Sequence, residues 1–140
     1  MLKVKILTVG KTKESWLQDA LSEYKKRLQN IIRIDLDCLR DNNQLIAQIE
    51  KQSGVILLDP EGNMFDSESF SHFFYKKMVS FGSQITFVIG GAEGLPQGLR
   101  QKHPMISLSK MTFTHQITRL ILVEQIYRAH EIDKGSGYHK

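Results

Sequence analysis

The segment Ile85-Thr86-Phe87-Val88-Ile89, running into Gly90-Gly91-Ala92-Glu93-Gly94-Leu95-Pro96, limits most strongly what this chain can fold into. An apolar, β-branched run that stops at paired glycines reads as a strand covered on both faces and ending in a tight turn. Gly90, Gly91 and Gly94 lack a Cβ, so they are free to take positive φ and to let a ligand approach the main chain. Taken alone, such a loop is also an ordinary strand-to-helix turn. The rest of the chain decides between the two.

Before that strand, residues 3–9 read as a first strand with Val4, Ile6 and Leu7 inside, closed by Gly10. Trp16, Leu17, Ala20, Leu21, Tyr24 and Leu28 then recur at helical spacing, leaving Glu14, Asp19, Lys25, Lys26 and Arg27 outside. Ile32, Ile34, Leu36 and Cys38 alternate with polar residues, as in a strand with one wet face towards a sheet edge. After a polar connector, Leu45, Ile46 and Ile49 mark a helix that stops near Gly54. Val55-Ile56-Leu57-Leu58 is a continuous apolar strand expected to end at the turn signal Asp59-Pro60-Glu61-Gly62. Asp66 or Ser67 suits the cap of a helix whose Phe70, Phe73, Phe74 and Met78 form one stripe before Gly82. Pro96 predicts a short helix through about residue 102, and residues 105–108 a brief last strand.

The final helix, residues 115–132, carries Ile117, Leu120, Ile121, Leu122, Val123, Ile126 and Tyr127, a wider apolar arc than one sheet face covers. A second surface is therefore expected to bury it, and the expectation is an isologous homodimer through this helix. Alternating strands and helices predict an α/β fold, a mostly parallel sheet flanked by helices in a single domain, 1–140. Ligands in such sheets sit beyond the carboxyl ends of the strands. Leu58-Asp59-Pro60, Ile89-Gly90-Gly91 and Leu108-Ser109-Lys110 are the unusual ends.

Several classes of function are disfavoured. No apolar run exceeds about five residues, against the roughly 20 needed to span a bilayer. The N-terminus has no signal-peptide core, so no membrane and a cytoplasmic location are expected. Val9-Gly10-Lys11-Thr12 imitates the end of a phosphate-binding loop, but the leading glycine position is Lys5, inside the strand. No GxGxxG follows any strand. The five histidines lack metal-ligand spacing and Cys38 is alone, so no metal site is expected. His72 and His103 read as surface residues, whereas His115 and His139 stand where chemistry is possible. A net charge of +4 and a pI near 9.2 suit an anionic partner of RNA size.

Residues 87–95, Leu108-Ser109-Lys110-Met111-Thr112-Phe113, and the run from His115-Gln116 through Arg119 and Tyr127-Arg128-Ala129 to Tyr138-His139-Lys140 carry a resemblance. The chain resembles the ribosomal RNA large-subunit methyltransferase H family, a small branch of the SPOUT methyltransferases. The similarity runs from the first strand to the last residue and is most specific over the last fifty or so. It implies a SPOUT-type fold with a C-terminal trefoil knot, rare among proteins, with S-adenosyl-L-methionine as methyl donor, and a homodimer. It also implies N3-methylation of a pseudouridine in 23S rRNA within the assembled ribosome. Carried onto matching positions, the donor pocket comprises Leu58, Gly90, Leu108, Ser109, Lys110, Met111, Thr112 and Phe113.

Thr114 and Gly137 stand where relatives have proline, the latter loosening the tail, and the segment before Gly54 is shorter than in many relatives. For the chemistry, His139 and Tyr138 are expected to contact the target base, with Arg119 or Arg128 stabilising charge or gripping phosphate. The tail is expected to serve the partner protomer's pocket. The competing readings are a non-catalytic ribosome-binding factor on the same scaffold and a SPOUT methyltransferase acting on tRNA.

Overall fold

The computed structural model describes residues 1–140. Strand β1 (Leu2–Val9) leads to helix α1 (Ser15–Arg27), β2 (Ile32–Leu39), α2 (Asn42–Glu50), β3 (Val55–Met64), α3 (Ser67–Ser80), β4 (Gln84–Ile89), β5 (Met105–Ser107) and α4 (His115–Asp133). The five strands form one sheet in the order β2-β1-β4-β3-β5. Every pairing is parallel, as the alternation of strand and helix predicts.

Alternation along the strands divides the apolar residues between two faces. Val4, Ile6, Ile56, Phe87 and Ile89 belong to the larger core, shared with Leu17 and Leu21 of α1, Phe70 and Phe74 of α3, and Leu122 and Ile126 of α4. Leu7, Val55, Leu57 and Val88 turn the other way, onto Leu45 and Ile49 of α2 and onto Leu99. The continuous apolar runs of β3 and β4 follow from this two-sided covering. Side-chain caps fix the helix starts: Asp41 accepts from Gln44 N at 2.9 Å, Asp66 from Ser69 N at 2.8 Å and Thr114 from Ile117 N at 3.2 Å.

Several expectations need correction. The strand expected to stop at Asp59 continues to Met64, because the chain bulges out after Leu58 and returns, so that both Leu58 and Asn63 pair with Ile106. A side chain at Gly62 would meet the Ile106 backbone at 2.7 Å, which is why this return needs glycine. The helix expected from Pro96 is a series of turns, with Gly98 at φ 90° breaking any helical run. Trp16 is 53% exposed instead of facing the core. Cys38 is exposed because β2 is an edge strand near its end.

Helix α4 packs against α1 and α3 as well as against β4. Neighbours within the chain therefore cover part of the apolar arc that the sequence reading assigned to a second copy. Ile117, Leu120 and Ile121 stay half-buried. No helix is long and apolar enough to cross a membrane.

Candidate active site

Three strand ends and one crossing segment border an open cavity of about 770 Å³. Leu58 and Asp59 at the β3 bulge and Ile89, Gly90 and Gly91 at the end of β4 form its floor. A Cβ on Gly90 would stand 2.5 Å from the Gly94 carbonyl carbon, so the loop folds back on itself only because that atom is missing. Of the three loop glycines singled out in the sequence, Gly94 alone takes a positive φ, 84°. Gly90 is required for close approach instead.

The roof follows from topology. β5 is an edge strand beside β3, yet α4 starts back beside β1, where Gln116 Nε2 donates to the Lys11 carbonyl at 2.8 Å. Residues 109–114 therefore cross the ends of β3 and β4, roughly three strand spacings or about 14 Å. Leu108, Ser109, Met111, Thr112 and Phe113 line the cavity from this segment. Met111 N donates to Ser109 Oγ at 2.9 Å and Ser107 Oγ to the Ser109 carbonyl at 2.8 Å, which shapes the turn at the start of the crossing.

At the β1 end the lining becomes polar: Lys13, Glu14, His115, Gln116 and Thr118, with Trp16 beside them. The Lys13 N–H donates to Gln116 Oε1 at 3.2 Å, tying the β1–α1 loop to α4. His115 has its protonation pushed below the usual imidazole range, first by burial and then by Arg119 and Lys13. On the opposite side Asp59 is only 7% exposed. Its Oδ2 accepts from Arg100 Nη2 at 2.7 Å and its Oδ1 from Glu61 N at 2.9 Å. Arg100 Nη1 also reaches Glu61 Oε2 at 2.9 Å, so one guanidinium braces the whole β3 bulge.

Seven of the eight residues expected in the donor pocket line this cavity; Lys110 is exposed and does not. Arg119 does not line it either. It is fully buried, and its guanidinium is occupied by Thr12 Oγ1 at 2.8 Å and by the carbonyls of Gly10 at 2.8 Å and Val9 at 3.2 Å. In this arrangement its terminal nitrogens are engaged within the chain. Its burial was hidden in the sequence because its partners lie about a hundred residues away.

Arg128, Tyr138 and His139 meet elsewhere, on the outer side of α4. Tyr138 O–H donates to Glu124 Oε2 at 2.8 Å and Arg128 Nη2 to the same oxygen at 2.9 Å. His139 Nδ1 lies 3.0 Å from Arg128 Nη1, and its Nε2 lies 3.8 Å from Glu68 Oε1. Arg128 stacks 4.8 Å above the Tyr138 ring, which packs edge-on against Tyr127. Burial and the Glu124 carboxylate push the Tyr138 phenol far up, so it remains a donor. Thr118, the last α4 residue at the cavity, and Arg128 are ten positions apart, about 15 Å along the axis. Glu124 was missed in the sequence; its four-residue spacing to Arg128 was the available signal.

The family model described as "Predicted SPOUT methyltransferase" matches residues 2–139. A protein of Protochlamydia amoebophila named ribosomal RNA large subunit methyltransferase H is 56% identical over 140 residues, covering all of both chains. Proteins of that name from Streptococcus sanguinis and Clostridium acetobutylicum are 39% and 37% identical, each alignment covering 99% of this chain and all of the relative. Among solved structures, a probable methylase family protein from Haemophilus influenzae superposes with a TM-score of 0.54 at 10% identity. It covers 94% of this chain and 66% of its own, a likeness of fold alone. Cavity, crossing segment and near-complete alignments agree, and the chain belongs to the ribosomal RNA large subunit methyltransferase H family of SPOUT methyltransferases.

Proposed function

We propose that this protein transfers a methyl group from S-adenosyl-L-methionine to N3 of a pseudouridine in 23S rRNA of the assembled ribosome. The observation that carries this reading is the convergence of Leu58, Gly90, Leu108 and the crossing segment's Ser109, Met111, Thr112 and Phe113 on one cavity. The residues present fit the donor. About 770 Å³ lies within the range of small-molecule sites, Leu58, Ile89, Leu95 and Leu108 suit an adenine, and the polar β1 end suits a charged amino-acid portion. When bound, that donor supplies an electrophilic methyl group on a sulfonium. The protein's task is to align the nucleophile, which is worth about 7–11 kcal/mol at most.

The target N3–H must also lose a proton, and the resulting charge on the ring needs a cation nearby. His139 and Tyr138 contact the base in this reading, and Arg128 stabilises the charge. Glu124 keeps these three groups together. Because the tail cluster sits about 15 Å along α4 from its own cavity, the tail of one protomer serves the cavity of the other in a homodimer packed through α4. The chain acts as one domain in the cytoplasm.

Labelled-methyl transfer to whole ribosomes, separated subunits and naked RNA tests the reaction. Methyl incorporation at one pseudouridine in 23S rRNA is expected. Calorimetric binding of the donor without transfer to any ribosomal substrate would instead favour a non-catalytic factor, and transfer to tRNA would redirect the substrate. His139→Ala chains mixed with Gly90→Ala chains should regain activity that neither has alone; no recovery rejects the shared site.

A further inference from the structure

Arg119 is a buried cation without an acid. None of its partners is a carboxylate: they are the Thr12 hydroxyl, two carbonyls, Cys38 Sγ at 3.7 Å and His115 Nδ1 at 3.3 Å. A guanidinium has donors only, so the His115 nitrogen facing it must be the bare one. The ring proton then sits on Nε2. Nη1 donates to Thr12, and Nη2, which faces His115, also donates to the Val9 and Gly10 carbonyls, so the guanidinium is held at the end of β1.

His115 lines the cavity and Arg119 stands behind it. The imidazole at the cavity thus has its tautomer set by Arg119. We propose that His115, fixed as the Nε2–H tautomer by Arg119, recognises the carboxylate of the methyl donor's amino-acid end. This deepens the reading above and rests on it. The donor has one anionic group, and the β1 end of the cavity has the matching set: Lys13 and the His115 N–H for the carboxylate, Glu14 for the ammonium. The apolar end, at Leu58, Ile89 and Leu108, has no cationic side chain to offer it. The bonds from Lys13 N to Gln116 and from Gln116 to the Lys11 carbonyl hold the polar end in place without any ligand. In this arrangement Arg119 is a positioning residue and His115 the contacting one.

The test crosses two proteins with two ligands in calorimetry. S-adenosylhomocysteine carries the amino-acid end, and 5′-methylthioadenosine lacks it. His115→Ala should weaken the first about tenfold, as for a hydrogen bond to a charged group, and leave the second unchanged. Equal loss on both ligands, or loss on neither, overturns the role of His115. Wild-type protein that binds neither ligand overturns the donor reading together with it. Nitrogen-15 NMR of the wild-type ring at neutral pH provides an independent readout: the Nε2–H tautomer is expected, and an Nδ1–H tautomer rejects the proposal whatever the affinities.

Discussion

Arg119 Nη2 lies 2.8 Å from the carbonyl oxygen of Gly10, joining residues 109 positions apart behind the polar end of the cavity. Through that bond and its neighbours, α4 is pinned to the end of β1. Arg119→Met removes the donors from Val9, Gly10 and Thr12 at once. A loss of about 2–4 kcal/mol is expected, given the penalty for stranding buried polar groups. Urea unfolding checks it, with Arg119→Lys recovering part of the loss; an unchanged midpoint for the methionine variant would mean that the bonds contribute nothing.

Two glycines should respond differently to the same change. Gly90→Ala drives a Cβ to 2.5 Å from backbone at Gly94, so the loop must shift and donor affinity should collapse. At Gly98 the surroundings are open and the cost is the positive φ of 90° alone, about 1–2 kcal/mol. Gly98→Ala should therefore lower the melting temperature and leave donor affinity intact. Calorimetry and thermal melts on both variants separate steric from conformational need, and equal donor affinities would contradict the assignment.

The Arg100 brace makes a prediction with an internal control. Arg100→Ala leaves Asp59, 7% exposed, with a carboxylate that has lost its cation. Since the Arg100 side chain is 45% exposed, the stability cost is limited to about 1 kcal/mol. Donor affinity should fall severalfold as the β3 bulge loosens. Adding Asp59→Asn removes the orphaned charge, so the double variant should melt above Arg100→Ala; a further drop would show that Asp59 matters through something other than this pair.

His115 predicts a pH dependence of stability. In the unfolded chain its ring titrates near the ordinary 6.5, and in the folded chain at a lower value because of burial, Arg119 and Lys13. Between those values the unfolded state binds a proton that the folded state does not. The associated stability is complete above 6.5 and is lost as pH falls below it, until the folded ring is protonated too. Denaturation of wild type and His115→Ala at about pH 7.5 and about pH 5.5 should show the wild type losing more, in the direction that linkage requires.

The order of strands and helices was legible because burial on two faces leaves continuous apolar runs in β3 and β4, while the helices keep their own period. Leu58, Gly90, Leu108 and Ser109 were legible as unusual strand ends, whereas Met111, Thr112 and Phe113 were named only through the family resemblance. Relations across long separations were not. Arg119 reads as a group for charge or phosphate until Val9 and Gly10 arrive beside it. Trp16 reads as a core residue because helical spacing counts apolar positions without knowing that the helix starts at a cavity. The β3 return to Met64 depends on pairing with Ile106, which no local turn signal contains.

The crossing segment at residues 109–114 also bears on synthesis of the chain. Val4 to Ile89 can collapse as soon as β4 has been made, because β1 pairs directly with β4. The cavity cannot close at that stage, since its roof and the α4 residues at its polar end are translated later. A nascent chain lacking residues beyond Ile89 thus has four strands of the sheet and no closed cavity. Closing a ring of more than a hundred residues between Gly10 and Arg119 adds a late, entropically costly step. The cavity is complete only once α4 has joined the end of β1.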